Sequence, residues 1–350
     1  MTYPPTPLIA AALRCASAKA SAGYPPAAKS AEAPNLRLID RRSHFKMEDL
    51  WRSIPEFPQF KDLSLEEKPL FDATFSKFPP LISEFTFTNL FIWRYAYQLK
   101  ISRLQDFLCL LAEKKESSFF FPPIGEGDVV KCYQILLQYL KGKGVSQKIT
   151  RVPEPVVTPV DWKAAGMVAE FDRDQCDYIY LTEDLINLQG RKYHRKRNHI
   201  KQFKDKYSYQ YIPLTPEWTS ECLRLETEWC DLRHCEAIPG LANESIAIKE
   251  ALTHFDPLGI KGGVILIDGK VEAFTLGESL NQETVVIHIE KANPAYEGLY
   301  PLINQAFLEN HWSGYLYVNR EQDLGEEGLR KAKESYFPHH LINKYIVTLT

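Results

Sequence analysis

Apolar and polar positions alternate with two different periods along the chain, and the change from one period to the other marks the elements. Val129, Cys132, Ile135, Leu136 and Tyr139 recur at helical spacing, and Gly142 and Gly144 supply a stop, which predicts a helix over 128–140. A second helix is predicted over 63–78, where Ser64 and Glu67 have the spacing of a capping box and Pro79-Pro80 closes the segment. Residues 81–97 carry Phe85, Phe87 and Phe91 at positions compatible with either period, and a helix is the expectation. Short apolar runs at 97–101, 107–112, 118–122, 167–171 and 177–181 read as strands. The first half is therefore mixed α/β and not a helix bundle.

The second half is more regular. Helices are predicted over 216–232, 243–255, 297–311 and 326–336. A hairpin is predicted over 263–279, turning at Asp268-Gly269. Strands are predicted at 284–290, 315–319 and 341–349, the first of them strongly β-branched. Residues 1–46 differ from the rest. They are rich in Ala, Ser and Pro, carry seven Lys and Arg against Glu32 and Asp40, and are read as a disordered extension or a targeting segment outside the folded part.

Composition narrows the class. The 350 residues suit two domains, and 45% hydrophobic with 25% charged residues is ordinary for a globular protein. No apolar run approaches the roughly 18 residues of a membrane span. Seven scattered cysteines without a CxxC pair argue against a disulfide framework and for a reducing, cytoplasmic setting. Cys230, His234 and Cys235 have no second ligand pair nearby, so packing is expected there and not zinc. No GxxxxGK[ST], GxSxG, HExxH or GxGxxG motif is present, which removes the simplest nucleotide-hydrolase, serine-hydrolase, zinc-protease and dinucleotide-binding readings.

The charge distribution is more informative than its sum of −3. The stretch 189–207, QGRKYHRKRNHIKQFKDKY, holds eight cations, Arg191, Lys192, Arg195, Lys196, Arg197, Lys201, Lys204 and Lys206, and one acid, Asp205. The remainder of the chain has 34 cations against 44 acids. Clustered Arg and Lys with interleaved Tyr193, Phe203 and Tyr207 fit a polyanion such as tRNA, a cofactor phosphate or a lipid headgroup. A solvated helix face is the alternative.

Three other places carry candidate chemistry. On the strand 284–290, strict alternation puts His288 and Glu290 on one face, where an imidazole and a carboxylate share general-base work. Asn319, Arg320, Glu321 and Asp323 crowd the C-terminal end of the next strand, where open α/β sheets place ligands. Lys333 and Tyr336 follow on a short helix, and a phenol there can act as a general acid. In each case a polar strand end, a helix cap or a solvated lysine is the structural alternative.

The motifs LQGRKYHRKRNHIKQF (188–203), HIEKANPAYEGLYPLINQAF (288–307), NREQDLGEEGLRKAKESYFP (319–338), NKY (343–345) and, in the first half, EFTFTNLFIWR (84–94) make the sequence resemble the phosphatidylglycerol lysyltransferase C-terminal-domain family. The resemblance runs from about residue 50 onward and is most specific in the last 170 residues. It implies an α/β (α+β) architecture of two tandem GNAT-like domains, each a mixed central sheet flanked by helices, expected at 47–180 and 181–350. It also implies an enzyme: a transferase using aminoacyl-tRNA as co-substrate, with a lipid headgroup or a small amine or hydroxyl as acceptor.

The resemblance places polyanion contacts on Arg191, Lys192, Arg195 and Arg197. It places an acyl-transfer cleft between His288–Lys291 and Asn319–Asp323, with Lys333 and Tyr336 beside it. Glu290 or His288 is then the proton acceptor, and Tyr336 or Lys333 serves the leaving group. An acyl-CoA-dependent N-acyltransferase is one alternative, although 291–298 has a single glycine where CoA-using relatives wrap the pyrophosphate. A non-catalytic RNA- or nucleotide-binding protein is the other.

Overall fold

The computed structural model describes residues 48–114 and 117–350. The segment 1–46, read above as an extension, lies outside the described residues. Residues Leu50–Thr350 form one compact unit built on two mixed sheets. In spatial order the first sheet runs Lys61–Asp62, Leu99–Leu104, Phe107–Ala112, Phe119–Phe120, Ile149–Pro153, Lys344–Leu349 and Met167–Phe171, with Ile124–Gly125 also paired to Phe107–Ala112. The second runs His340–Ile342, Asp177–Leu181, Tyr317–Asn319, Thr284–Ala292, Lys270–Ser279, Lys261–Ile267 and Tyr209–Pro213.

Each sheet is covered by helices whose apolar stripes the sequence predicts. Asp128 caps the helix Val129–Gly142 by accepting from the Lys131 amide at 2.9 Å. That helix buries Cys132, Tyr133, Leu136, Leu137 and Leu140 against Phe107, Cys109, Leu111, Ile149 and Val152. In the second sheet the helix Leu299–His311 lays Leu299, Leu302 and Ile303 on Ile265, Ala273 and Ala292, and its Phe307 and Leu308 on Val285 and Ile287. The Ser64–Glu67 capping box forms, opening a 3-10 turn that runs into the helix Lys68–Lys77.

Three expectations change. The helix predicted over 81–97 begins only after Thr86, whose hydroxyl accepts from the Asn89 amide, and it covers Phe87–Ile92 and then Arg94–Tyr97. Residues before Thr86 are committed elsewhere, because Ser83 and Glu84 serve a buried ion network described below. The strand predicted over 341–349 divides at Asn343: His340–Ile342 pairs with Asp177–Leu181 in the second sheet, and Lys344–Leu349 enters the first between Ile149–Pro153 and Met167–Phe171. Finally, Cys230 and Cys235 form a disulfide, so the expectation of free thiols fails at this pair. It is one local link at the end of the helix Thr219–Arg233 and not a framework. Among the described residues Cys109, Cys132, Cys176 and Cys222 are free and buried.

The two sheets meet at a dry ionic junction. The Lys344 side chain is fully buried, and its Nζ donates to Glu84 Oε2 and Asp177 Oδ1, each at 2.7 Å. Asp177 also accepts from the Ser83 amide at 2.7 Å, the Ser83 hydroxyl at 2.9 Å and Asn319 Nδ2 at 3.0 Å. Arg151 Nε lies 3.0 Å from Glu84 Oε1, and its guanidinium is surrounded by the rings of Tyr97, Phe119 and Phe121 at 5.0 to 5.3 Å. One network thus ties strands of both sheets to the loop before Thr86. Removing one partner from such a group leaves an uncompensated buried charge. Lys344→Met is expected to lower unfolding free energy by about 3–5 kcal/mol, read from urea denaturation. An unchanged midpoint would show that the junction is not dry.

Candidate functional site

The second sheet opens where two parallel strands part. Thr284–Ala292 and Tyr317–Asn319 pair at Thr284↔Tyr317, Val285↔Val318 and Val286↔Asn319, and the pairing stops there although the first strand continues to Ala292. Two local causes separate them. Asn319 Oδ1 accepts from the Glu321 amide at 2.7 Å, and Glu321 has φ of 58°, so the chain turns off the strand direction. On the other side the register of Lys270–Ser279 against Thr284–Ala292 shifts between Leu276 and Gly277, which pair with Ile289 and Ile287 and leave His288 as the extra residue of a bulge. Gly277 is required there, since a Cβ would lie 2.6 Å from the Val286 carbonyl oxygen.

The bulge cancels the strict alternation expected of this strand. Glu290 points to the helix Leu299–His311, accepting from Asn304 Nδ2 at 2.9 Å. His288 instead meets Glu278, Glu321 and Thr86. The two residues therefore share no partner, and the parted strands are bridged twice: Arg320 to Glu290 at 3.0 Å, and Glu321 to His288 at 2.8 Å.

The Glu290 side is crowded with cations. The Arg320 guanidinium stands 4.6 Å from the centre of the Tyr336 ring, and Lys196 Nζ lies 3.6 Å over that ring while donating to Ser335 Oγ at 2.7 Å. Lys333 Nζ donates to the Arg320 carbonyl oxygen. Burial, reinforced by the Arg320 charge, brings Lys196 and Lys333 each down to about 8. Burial pushes the Tyr336 phenol up to about 12 against the pull of Arg320. Arg320 Nη1 is buried and has no hydrogen-bond acceptor among the described residues. Lys196, Arg320 and Lys333 thus share the Glu290 carboxylate, with Glu321 and Asp177 also acting on Lys333.

On the His288 side the imidazole is almost wholly buried. Its Nε2 is 2.9 Å from Glu278 Oε1 and its Nδ1 2.8 Å from Glu321 Oε1, which also accepts from Asn89 Nδ2 at 3.1 Å. Burial alone would lower its proton affinity, but the hydrogen bonds to Glu278 and Glu321 and their charges carry it up to about 9.

The remaining predicted residues are dispersed. Asn319 is fully buried and positions Asp177 and Glu321. Asp323 is also fully buried, held by Arg173 at 3.1 Å, Arg330 at 2.8 Å and the Tyr178 hydroxyl at 2.6 Å, and these partners hold its carboxyl far below the usual range despite burial. Lys291 lies on the opposite face of the strand, 3.5 Å over the Trp229 ring and 3.0 Å from Glu244. In the basic stretch, Arg191–Tyr193 is a 3-10 turn leading into the helix His194–Lys206. Arg191, Lys192 and Arg195 are exposed, Lys192 pairing with Asp184 at 3.2 Å. Arg197 donates to the carbonyl oxygens of Leu188 and Gly190 and so holds the turn.

Lys196, one of the eight cations of its stretch but not among the expected polyanion contacts, is the residue of that stretch that enters the group. A signal for it exists. The buried residues Tyr193, Ile200 and Phe203 define a stripe at helical spacing, and position 196 completes that stripe. Glu278, Asn304 and Asn89 had no comparable signal, because their partners are remote in sequence.

The turn 293–298 before the helix Leu299–His311 is self-contained. The amides of Ala295, Tyr296 and Leu299 donate to Asn293 Oδ1, Asn293 O and Tyr296 O. Gly298, with φ of 91°, packs on the helix His194–Lys206 so closely that a Cβ would lie 2.3 Å from the His199 carbonyl oxygen.

Among the described residues no helix is long and apolar enough to cross a membrane, and no three His, Cys, Asp or Glu are grouped to hold a metal. The arrangement of sheets and helices is GNAT-like. A conserved protein of unknown function from Bacteroides thetaiotaomicron is similar in structure, with a TM-score of 0.76, 36% identity and coverage of 83% of this chain and 99% of that one. The C-terminal domain of a putative lysylphosphatidylglycerol synthetase from Agrobacterium fabrum has a TM-score of 0.58 at 13% identity, covering 81% of this chain and 92% of that one. An uncharacterised protein of Mycoplasmoides gallisepticum is 23% identical over 184 residues, which is 49% of this chain and 55% of the relative, so the chain spans about half the length of that curated relative. Residues 75–348 match the family described as phosphatidylglycerol lysyltransferase, C-terminal, and the chain belongs to that family.

Proposed function

We propose that this protein transfers an aminoacyl group from aminoacyl-tRNA to a hydroxyl or amine acceptor, a lipid headgroup among the candidates. The observation that carries this reading is the two-sided helix His194–Lys206. With the turn before it, it presents Arg191, Lys192 and Arg195 to solvent and Lys196 to the group around Arg320. One element thus offers a phosphate-binding surface and a reactive lysine a few residues apart.

The chemistry balances with the chain's own groups. The acceptor oxygen or nitrogen attacks the ester carbonyl, and the bond to the tRNA ribose oxygen breaks. Lys196, with a proton affinity near 8, is neutral in about a tenth of the molecules at pH 7, and in that form it takes the acceptor's proton and returns it to the leaving oxygen. Arg320 Nη1, a buried donor without an acceptor, faces the negative charge that forms on the carbonyl oxygen. Glu290 has one oxygen on Arg320 and the other on Asn304, so it acts as a positioning residue for the guanidinium. Tyr336 holds Lys196 over its ring. His288 is an imidazolium at neutral pH and lacks the lone pair a base needs, so its part is to hold Glu278 and Glu321 together.

The amides of Asn293, Ala295 and Tyr296 are already engaged, so the 293–298 turn offers an acyl-CoA pyrophosphate fewer free N–H groups, which favours this donor. Titration of the full chain with charged tRNA, uncharged tRNA and acetyl-CoA at two salt concentrations tests the donor. Binding of tRNA that weakens steeply with salt and is lost in Arg191→Glu/Arg195→Glu is expected. Acetyl-CoA binding without tRNA binding would overturn the proposal. Lys196→Met is expected to slow transfer of a labelled amino acid by about 10²–10⁴-fold while leaving tRNA affinity unchanged. Full activity in that variant would place the proton transfer elsewhere.

The His288 assignment has its own readout in stability. Its proton affinity is raised on folding, so its contribution is complete below pH 6.5 and is lost as pH rises through about 9. In urea unfolding the stability of the wild type relative to His288→Gln should fall on the order of 3 kcal/mol across that window, a difference in which the opposite contributions of Lys196 and Lys333 cancel. Equal slopes would mean that the imidazole is neutral in the folded protein.

A further inference from the structure

A cavity of about 430 Å³ opens on the His288 side of the parted strands. Three phenylalanines, Phe75, Phe85 and Phe87, and Tyr315 form much of its wall. The ionisable side chains of opposite sign are absent: Asp72 and Glu278 line it, and no Lys, Arg or His does among the described residues. Glu278 is the carboxylate that His288 holds at 2.9 Å, and Thr86, at the cavity edge, lies 3.4 Å from the same ring. The imidazolium lies between two carboxylates, Glu278, which lines the cavity, and Glu321, which does not. Asp72 is matched by Lys68 at 2.8 Å, and Lys68 Nζ stands 5.9 Å over the Phe87 ring, so a ring of this wall already faces one ammonium of the protein itself.

Aromatic faces and two carboxylates whose own cationic partners, His288 and Lys68, stand outside the lining are complementary to an organic cation. An anionic headgroup would meet only like charge there. We propose that this cavity binds an organic ammonium group carried by one of the substrates, reading it with the Glu278 carboxylate and the Phe75, Phe85 and Phe87 faces. The proposal rests on the transfer reading only in calling the ligand a substrate, because the cavity itself is independent of the tRNA surface. Two substrates can carry such a group: the acceptor, or the amino acid on the donor.

The test is calorimetric titration of the full chain, without tRNA, using n-butylammonium as the probe and n-butanol as its neutral counterpart. Binding of the ammonium but not the alcohol is expected, weakened about tenfold in Glu278→Gln. Because Glu278 also touches His288, Phe75→Leu serves as a second variant that leaves that contact in place, and weaker ammonium binding with an unchanged melting temperature is expected. Equal binding of amine and alcohol, or full ammonium affinity in both folded variants, would overturn the site. Neither result bears on the tRNA titration, so the two readings fail separately. In the transfer assay, competition by n-butylammonium against the acceptor assigns the group to the acceptor, and competition against the charged tRNA assigns it to the donor's amino acid. A probe that binds the cavity and competes with neither would overturn the substrate assignment.

Discussion

Everything in the candidate site depends on burying one ammonium group. The Lys344 side chain is fully buried, so Glu84 and Asp177 both reach it, and each brings a segment of chain along. Asp177 brings the second sheet and, through Asn319, the very residue at which the parallel strands part. Glu84 brings Arg151 and the loop that leads to Thr86 and Asn89, two of the groups around His288. An apolar junction of the same volume would be as stable or more so. It would not fix the position of Asn319 relative to the first half of the chain, which hydrogen bonds with direction do.

The parted strands show how one backbone irregularity sorts chemistry to two sides. Without the extra residue at His288, the imidazole and Glu290 would compete for the same space. With it, adjacent residues Arg320 and Glu321 cross the gap to different partners, one pair on each side of the strand. The cation-rich side has an unmatched donor and two lysines that crowding leaves ready to exchange protons near neutrality. The other side has paired carboxylates beside an aromatic cavity. A group transfer needs both a place for developing negative charge and a place to hold the incoming or leaving partner, and the two surfaces differ in the way that requires.

Most of this fold was legible from its apolar pattern, because helices such as Val129–Gly142 bury one regular face and strands such as Phe107–Ala112 are buried along their whole length. The pieces that were not legible share a cause. The strand Ile149–Pro153 went unpredicted because its Arg151 looks like a solvent residue, and only the rings of Tyr97, Phe119 and Phe121 make it an interior one. The split at Asn343 was hidden because Lys344 reads as polar surface until its two carboxylates are seen. His288 and Glu290 were expected together because alternation carries no mark of a bulge. In the basic stretch the charge was visible but not its sorting, since Arg197 and Lys196 differ from their exposed neighbours only in which helix face they occupy. Local pattern thus reported elements well, and failed where a charged side chain is satisfied by residues far away in sequence.

The placement of Lys344–Leu349 also sets an order of events in time. This segment lies between Ile149–Pro153 and Met167–Phe171, so those two strands have no direct partner in each other. While the chain is being made, the first sheet keeps a vacant slot flanked by two strand edges until Leu349 leaves the ribosome. The 172 residues between Phe171 and Lys344, which include the second sheet and its helices, are synthesised in that interval. The first half therefore cannot mature ahead of the second, as domains in sequence ordinarily do. Open strand edges recruit other chains, so the interval before the slot is filled is the period in which a nascent chain is most exposed to pairing with the wrong partner.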